Sequence, residues 1–318
     1  LTWLQIIWWK NKPTNQLHCR ARKKPGFFIF QGLAMIKVNS LKYRYPNTTE
    51  NAVKGLDFVV EQGEIFGFLG PSGAGKSTTQ KILTGLLKKY QGEVNILGKD
   101  LKSWNADLYE EIGISFEFPN HFQKLTGFEN LLYFSRLYQR ITTDPLVLLQ
   151  QVGLFDDARQ PVEQYSKGMK NRLTFARALI HDPQILFLDE PTSGLDPLNA
   201  HMIKEMIRVQ QQAGKTIFLT THNMNVAEEL CDRVALIVEG EIIVIDTPRQ
   251  LKLAHGQPLV RVESRHNGSV QTVEFPLEKL GHNQDFLSHI QTYEVQTIHT
   301  QEASLEDVFI RLTGRRLV

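Results

Sequence analysis

The chain has 318 residues, room for one large domain plus a small appendage. Its content of 42% hydrophobic, 22% charged and 9% aromatic residues is that of an ordinary globular protein able to bury a large core. The net charge of +2 argues for neither nucleic acid nor a lipid surface as a partner.

The charge is unevenly spread. Residues 1–34 hold Lys10, Lys12, Arg20, Arg22, Lys23 and Lys24 and no acid, which leaves residues 35–318 at −4. This basic segment also carries Trp3, Trp8 and Trp9 and has no helical or strand period, so it reads as an extension ahead of a natural start at Met35, or as a tail. Two distant cysteines, Cys19 and Cys231, make neither a disulfide framework nor a metal site, and a reducing setting fits them. The most apolar stretches, Trp3–Trp9 and Phe27–Phe30, fall short of the ~18–20 residues that span a bilayer. Their order relative to the basic residues also does not suit a secretory signal.

From Met35 to Asp246 the pattern alternates. Ile65–Leu69 is a short apolar strand, Ser77–Leu87 a helix, and Ile185–Leu188 a second buried strand. Ala200–Gln212 is helical and stops before Gly214, Ile217–Thr220 is a strand, and Met224–Cys231 is a helix. Val234–Val238 and Ile242–Ile245 flank the hairpin signal Glu239-Gly240. Short apolar strands separated by helices predict an α/β fold with a mainly parallel sheet over residues 35–250. Pro248 and Gly256-Gln257-Pro258 mark a boundary, and residues 251–318 read as a small α+β domain. In it Leu259–Glu263 and Val270–Phe275 join through Asn267-Gly268, Phe286–Ile290 is helical, Tyr293–His299 is a strand, and Ser304 with Asp307 caps a helix over Leu305–Leu312.

Two motifs carry chemistry. Gly70-Pro71-Ser72-Gly73-Ala74-Gly75-Lys76-Ser77-Thr78 follows a strand and opens a helix, the context of a phosphate-binding loop. Its glycines let backbone N–H groups turn toward phosphate oxygens, and the helix N-terminus adds partial positive charge. Lys76 is placed to reach the β- and γ-phosphates, and the Ser77 hydroxyl to ligate Mg2+. In Ile185-Leu186-Phe187-Leu188-Asp189-Glu190-Pro191, two acids end a buried strand, where ligands gather in open parallel sheets. Asp189 is placed to hold Mg2+, and Glu190 to polarise an attacking water.

Together these residues resemble the ABC ATPase family over about Met35 to Asp246. The order and spacing of further motifs agree with it. Tyr165-Ser166-Lys167-Gly168-Met169 stands where the family has its signature sequence, and Ser193-Gly194-Leu195-Asp196 matches its D-loop. His222, 32 residues after Glu190, matches the switch histidine that touches the γ-phosphate. Tyr45, with Tyr43 as a neighbouring candidate, matches the aromatic that stacks on adenine. The resemblance implies two cassettes meeting head to tail, each ATP lying between the Lys76 loop of one and Ser166, Lys167 and Gly168 of the other, with Asp196 close by. It also implies a separate membrane-spanning permease, no nucleic-acid partner, and a peripheral place at the cytoplasmic face of the membrane.

The chain departs from the family pattern in two places. Lys167 and Met169 replace the usual glycine and glutamine of the signature, a form similar to that of the ABC-2 type exporter branch. By spacing, the Q-loop glutamine falls at Glu117, with Gln123 a later alternative; a carboxylate there still ligates Mg2+ but donates no hydrogen bond. Residues 118–170 correspond to the family's helical subdomain, opened by a capping box of Thr126 and Glu129. There Phe118, Phe122, Phe128 and Tyr133 form core or a groove for a helix of the permease. Ser304-Leu305-Glu306-Asp307-Val308-Phe309 resembles the ending of drug- and natural-product-export ATPases. The reading is an ATP-hydrolysing subunit of an exporter. The alternative is an ABC ATPase of translation or DNA repair, against which stand the single cassette and the 90 residues from Lys76 to Ser166 without sustained heptads.

Overall fold

The computed structural model describes residues 34–315 apart from Pro119, Gln257 and residues 267–268. The expected N-terminal extension, Cys19, and the Asn267-Gly268 turn lie outside the described residues. Strands β1 (Ala34–Tyr43) and β2 (Val53–Glu61) pair antiparallel and lead into β3 (Ile65–Leu69) and helix α1 (Lys76–Leu83). Next come β4 (Gln91–Ile96), β5 (Lys99–Asp100), α2 (Leu108–Glu111) and β6 (Ile112–Ser115). Three helices follow, α3 (Gly127–Ser135), α4 (Pro145–Gln151) and α5 (Lys167–Leu179). Alternation then returns with β7 (Ile185–Asp189), α6 (Pro197–Gln212), β8 (Thr216–Thr221) and α7 (Met224–Leu230). A hairpin of β9 (Arg233–Val238) and β10 (Glu241–Asp246) precedes α8 (Pro248–His255). The chain continues through β11 (Leu259–His266), β12 (Ser269–Pro276), α9 (Gln284–Thr292) and β13 (Glu294–Gln301) to α10 (Leu305–Thr313).

A six-stranded sheet of order β10-β9-β3-β8-β7-β6 is parallel except at β10, and a four-stranded antiparallel sheet of order β2-β1-β4-β5 stacks on one of its faces. The period of two along the central strands explains the stacking. Phe66, Phe68, Ile185, Phe187, Phe218, Ala235 and Ile237 point toward β1, β2 and β4, where Phe218 packs 5.5–6.1 Å from Phe58, Phe66, Phe68 and Phe187. Their neighbours Ile65, Leu69, Leu186, Leu188, Ile217, Leu219, Val234 and Leu236 point the other way, into a core shared with the helices. Each central strand is therefore apolar on both faces and reads as a continuous apolar run.

Some element ends differ from the sequence reading. The helix expected over Ser77–Leu87 stops at Leu83, because Gly85 takes a left-handed φ of 73°, its own N–H donating to Ile82 O and those of Leu86 and Leu87 to Lys81 O. Helix α6 starts at Pro197 instead of Ala200, since Asp196 caps it by accepting from Asn199 N and proline suits the first turn. The residue 250/251 boundary falls inside α8, where Thr247 is the cap and Pro248 opens the helix. Both capping boxes, Thr126 with Glu129 and Ser304 with Asp307, form as expected.

The C-terminal segment divides in two. Strands β12-β11-β13 and α9 close a small core of their own around Val260, Val262, Phe275 and Phe286. Helix α10 instead returns to the ATPase body, with Leu305, Val308 and Phe309 fully buried in the same cluster as Leu251 of α8 and Ala227 and Leu230 of α7. Among the described residues, no helix is long and apolar enough to cross a membrane. Cys231 is a buried free thiol, pushed up by desolvation.

Candidate nucleotide-binding site

All five residues of β3 are buried, so the strand delivers its C-terminal end to a fixed place, and the loop 70–75 turns from there into α1. Only glycine fits at two of its positions. A Cβ on Gly70 would sit 2.1 Å from the carbonyl oxygen of Ile237, and Gly75, with φ of 105°, would bring one to 2.7 Å from that of Ala52. Lys76, the first residue of α1, is buried and donates from Nζ to the carbonyls of Gly70 at 2.6 Å and Pro71 at 3.0 Å. Burial lowers its pKa, and the negative charges of Glu190, Asp189 and Glu117 oppose that. The ammonium thus already lies among the three carboxylates.

A cavity of about 380 Å³ opens over the loop. It is lined by Ser72, Gly73, Gly75, Lys76, Ser77 and Thr78 of the motif, and by Tyr45, Glu117, Glu190 and His222 from four separate places in the chain. Of the two candidate tyrosines, Tyr43 is buried in the core, edge-on to Tyr45 at 5.0 Å, while Tyr45 faces the cavity with its hydroxyl 3.1 Å from that of Thr78. Glu117, not Gln123, faces the cavity; Gln123 bonds the carbonyl of His121.

Asp189 ends β7 beside β8 and Glu190 follows it, and the hydroxyls of Thr220 and Thr221 hold them. Thr220 donates to Asp189, its register partner, and Thr221 to Glu190 Oε2 at 3.0 Å. His222 Nδ1 lies 2.7 Å from Glu190 Oε1, and a carboxylate can only accept, which places the proton on Nδ1. Burial raises the pKa of Asp189 and adjacent Glu190 adds to the rise, against Thr220, Lys76 and Lys81. Such a carboxylate gains by meeting a cation. Thr220 and Thr221 carry no motif. The signal that points to them is their place at the C-terminal end of the strand next to Asp189 and Glu190.

Ser166, Lys167, Gly168 and Asp196 do not line this cavity. Ser166 caps α5 by accepting from Met169 N, and Lys167 extends over Gly194 of the D-loop. Gly168 packs against the Asn199 side chain, which itself donates to Asp196. Hydrogen bonds from the Asn199 side chain and backbone hold the Asp196 carboxyl below its usual range. Among the described residues, no group of three or more His, Cys, Asp or Glu side chains forms a metal site by itself.

A glycine-rich loop opening a helix, with Glu190 from the end of a buried strand and His222 on the same cavity and Asp189 next to Glu190 in sequence, is the arrangement of a nucleoside triphosphatase of the ABC type. Comparison with known proteins agrees: the chain belongs to the ABC transporter family, whose model matches residues 53–193. A second model, the fluoroquinolone efflux ABC transporter C-terminal domain, matches residues 259–302. A fluoroquinolones export ATP-binding protein of Mycobacterium tuberculosis is 54% identical, covering 90% of this chain and 95% of that one. A Nod factor export ATP-binding protein I of a Rhizobium species is 37% identical, covering 83% and 93%. A dimeric ATP-binding cassette in a post-hydrolysis state with ADP and Pi superimposes with a TM-score of 0.61 at 29% identity, covering 67% of this chain and 98% of that one. The chain is an ATPase that energises a membrane exporter, and the translation or repair alternative is not favoured.

Proposed function

We propose that two copies of this chain, or one copy and a related cassette, close head to tail on two ATP molecules at the cytoplasmic face of a membrane. Closure and reopening drive a separate permease that exports a fluoroquinolone-type compound. The observation that carries this reading is the division of the site. Lys76, Ser77, Glu117, Glu190 and His222 share one cavity, whereas Ser166, Lys167 and Gly168 open α5 outside it. A site split in this way is completed by a second molecule. The N-terminus of α5 offers backbone N–H groups and a helix dipole to the γ-phosphate of the facing ATP, and Lys167 adds a cation. The cargo rests on the fluoroquinolones export relative and on the match of residues 259–302.

In the closed pair the loop amides and the α1 N-terminus hold the phosphates, and Lys76 exchanges the carbonyls of Gly70 and Pro71 for phosphate oxygens. Glu190 takes a proton from water as its oxygen bonds to Pγ; the bond from Pγ to the bridging oxygen breaks, and its electrons leave with ADP. The residues fit Mg2+: Ser77 hydroxyl, Asp189 and Glu117 are hard oxygen donors, and the half-buried Asp189 carboxyl is raised by desolvation and by Glu190. When bound, the ion neutralises charge on the phosphates. Exposed Phe118, Phe122 and Tyr133 form the surface that receives a permease helix, while Phe128 packs on the core. The test is purification from native membranes in mild detergent. A multi-span membrane protein in fixed ratio, with ATP hydrolysis abolished by Glu190→Gln, supports the proposal; a chain that travels alone or with ribosomes ends it.

A further inference from the structure

The structure assigns Thr221 to the reaction as a positioning residue: its hydroxyl anchors one oxygen of Glu190, so that the other is left to take the proton of the attacking water. The inference rests on Glu190 being the base, as proposed above.

Glu190 is the first residue beyond β7. Its backbone is left-handed, with φ of 47°, and its N–H donates to Thr220 O at 3.0 Å. The side chain is buried, and its two oxygens meet different neighbours: Oε1 the imidazole of His222 at 2.7 Å, and Oε2 the hydroxyl of Thr221 at 3.0 Å. These neighbours differ in burial. Thr221 is the last residue of β8, 1% exposed, β-branched, and in register with Leu69 on the adjacent strand. His222 lies beyond the strand, and its side chain is 53% exposed.

The direction of the Thr221 bond is fixed. Its oxygen accepts from Asn223 N at 3.0 Å, which leaves its one proton aimed at the carboxylate. On the function proposed above, His222 meets the γ-phosphate and so leaves Glu190. That movement frees Oε1, while Oε2 stays tied to the sheet. Thr221 thereby makes the two oxygens of Glu190 unequal, one held and one working, and keeps the working oxygen aimed when its resting partner leaves.

A hydroxyl that merely satisfied the N–H of Asn223 would affect stability and not turnover. The test therefore separates kcat from KM for ATP in the full chain, comparing Thr221→Val, which keeps the branched shape, with Thr221→Ser, which keeps the hydroxyl. Loss of a buried hydrogen bond to a charged group leads us to expect a kcat for Thr221→Val reduced about tenfold or more, with KM within about twofold of wild type. Thr221→Ser should recover most of the rate. If Thr221→Val does not fold, Thr221→Ala gives the same comparison. A valine or alanine variant with kcat within about twofold of wild type overturns the inference, as does a serine variant as slow as the valine one. Glu190→Gln tells the two readings apart. Hydrolysis that survives it removes the base and Thr221 together; hydrolysis abolished by it while Thr221→Val stays fast removes Thr221 alone.

Discussion

The phosphate loop and the signature segment both open a helix, yet the structure leaves them in opposite conditions. The loop 70–75 is held from all sides by its own chain: a fully buried strand before it, Ile237 and Ala52 against its glycines, and Lys76 tied to its carbonyls. Its cavity stands ready in a single copy. Lys167 and Gly168 are also docked on their own chain, against Gly194 and Asn199, and with Ser166 they lie outside the cavity that holds Glu190. On the head-to-tail closure proposed above, the contrast assigns nucleotide affinity to one copy and hydrolysis to the pair.

The largest test is Lys76→Ala. Removing the only buried cation of the loop should lower ATP turnover by at least about a hundredfold and weaken nucleotide binding by a single copy, read by turnover and by titration with a fluorescent ATP. Next is Gly168→Leu, whose side chain would displace the Asn199 amide that lies 2.6 Å from a Cβ there. Here ATP binding by one copy should stay within about twofold of wild type while ATP-driven pairing falls about tenfold or more, as read by light scattering. Equal losses of binding and pairing would break the comparison.

Acid should act on the signature half first. His121 donates to Lys170 O on α5, and His181, just beyond α5, bonds Ile112 O. Burial pushes both imidazoles down to about 4. The unfolded chain takes up these protons near pH ~6.5 and the folded chain only near pH ~4, so stability falls as pH drops through that window, by up to on the order of 3 kcal/mol for each histidine. Hydrogen exchange at pH 7 and pH 5 should show α5 losing protection before α1 does. The smallest effect expected is that of Glu117→Gln: the Mg2+ concentration for half-maximal turnover should rise by about three- to tenfold, with the turnover at saturating Mg2+ changed less.

What the sequence made legible follows from how local each feature is. Residues 70–78 are contiguous, and their strand–loop–helix context repeats in the structure; Asp189-Glu190 and His222 likewise fall at strand ends as expected. Glu117 was picked by its spacing from the phosphate loop, and it lines the cavity just beyond β6. Tyr45 was the preferred candidate with Tyr43 as its neighbour, and what separates the two is burial, which arises from β2 and β4 packing across β1. Thr220 and Thr221 read as ordinary strand residues, since their importance comes from the register of β8 against β7. Nor did the apolar face of α10, visible in Leu305, Val308 and Phe309, say which core it would enter.

That destination has a consequence for biosynthesis. Residues near the C-terminal end of the chain insert beside α7 and α8, so the cluster that also holds the β7 and β8 side chains is incomplete while the ribosome is still making residue 300. Docking of α10 is then a non-local step that needs α7 and α8 already in place. A nascent chain that stalls just short of Leu305 would carry the whole phosphate loop and both acids, and would present to chaperones and proteases the open apolar seam that α10 closes.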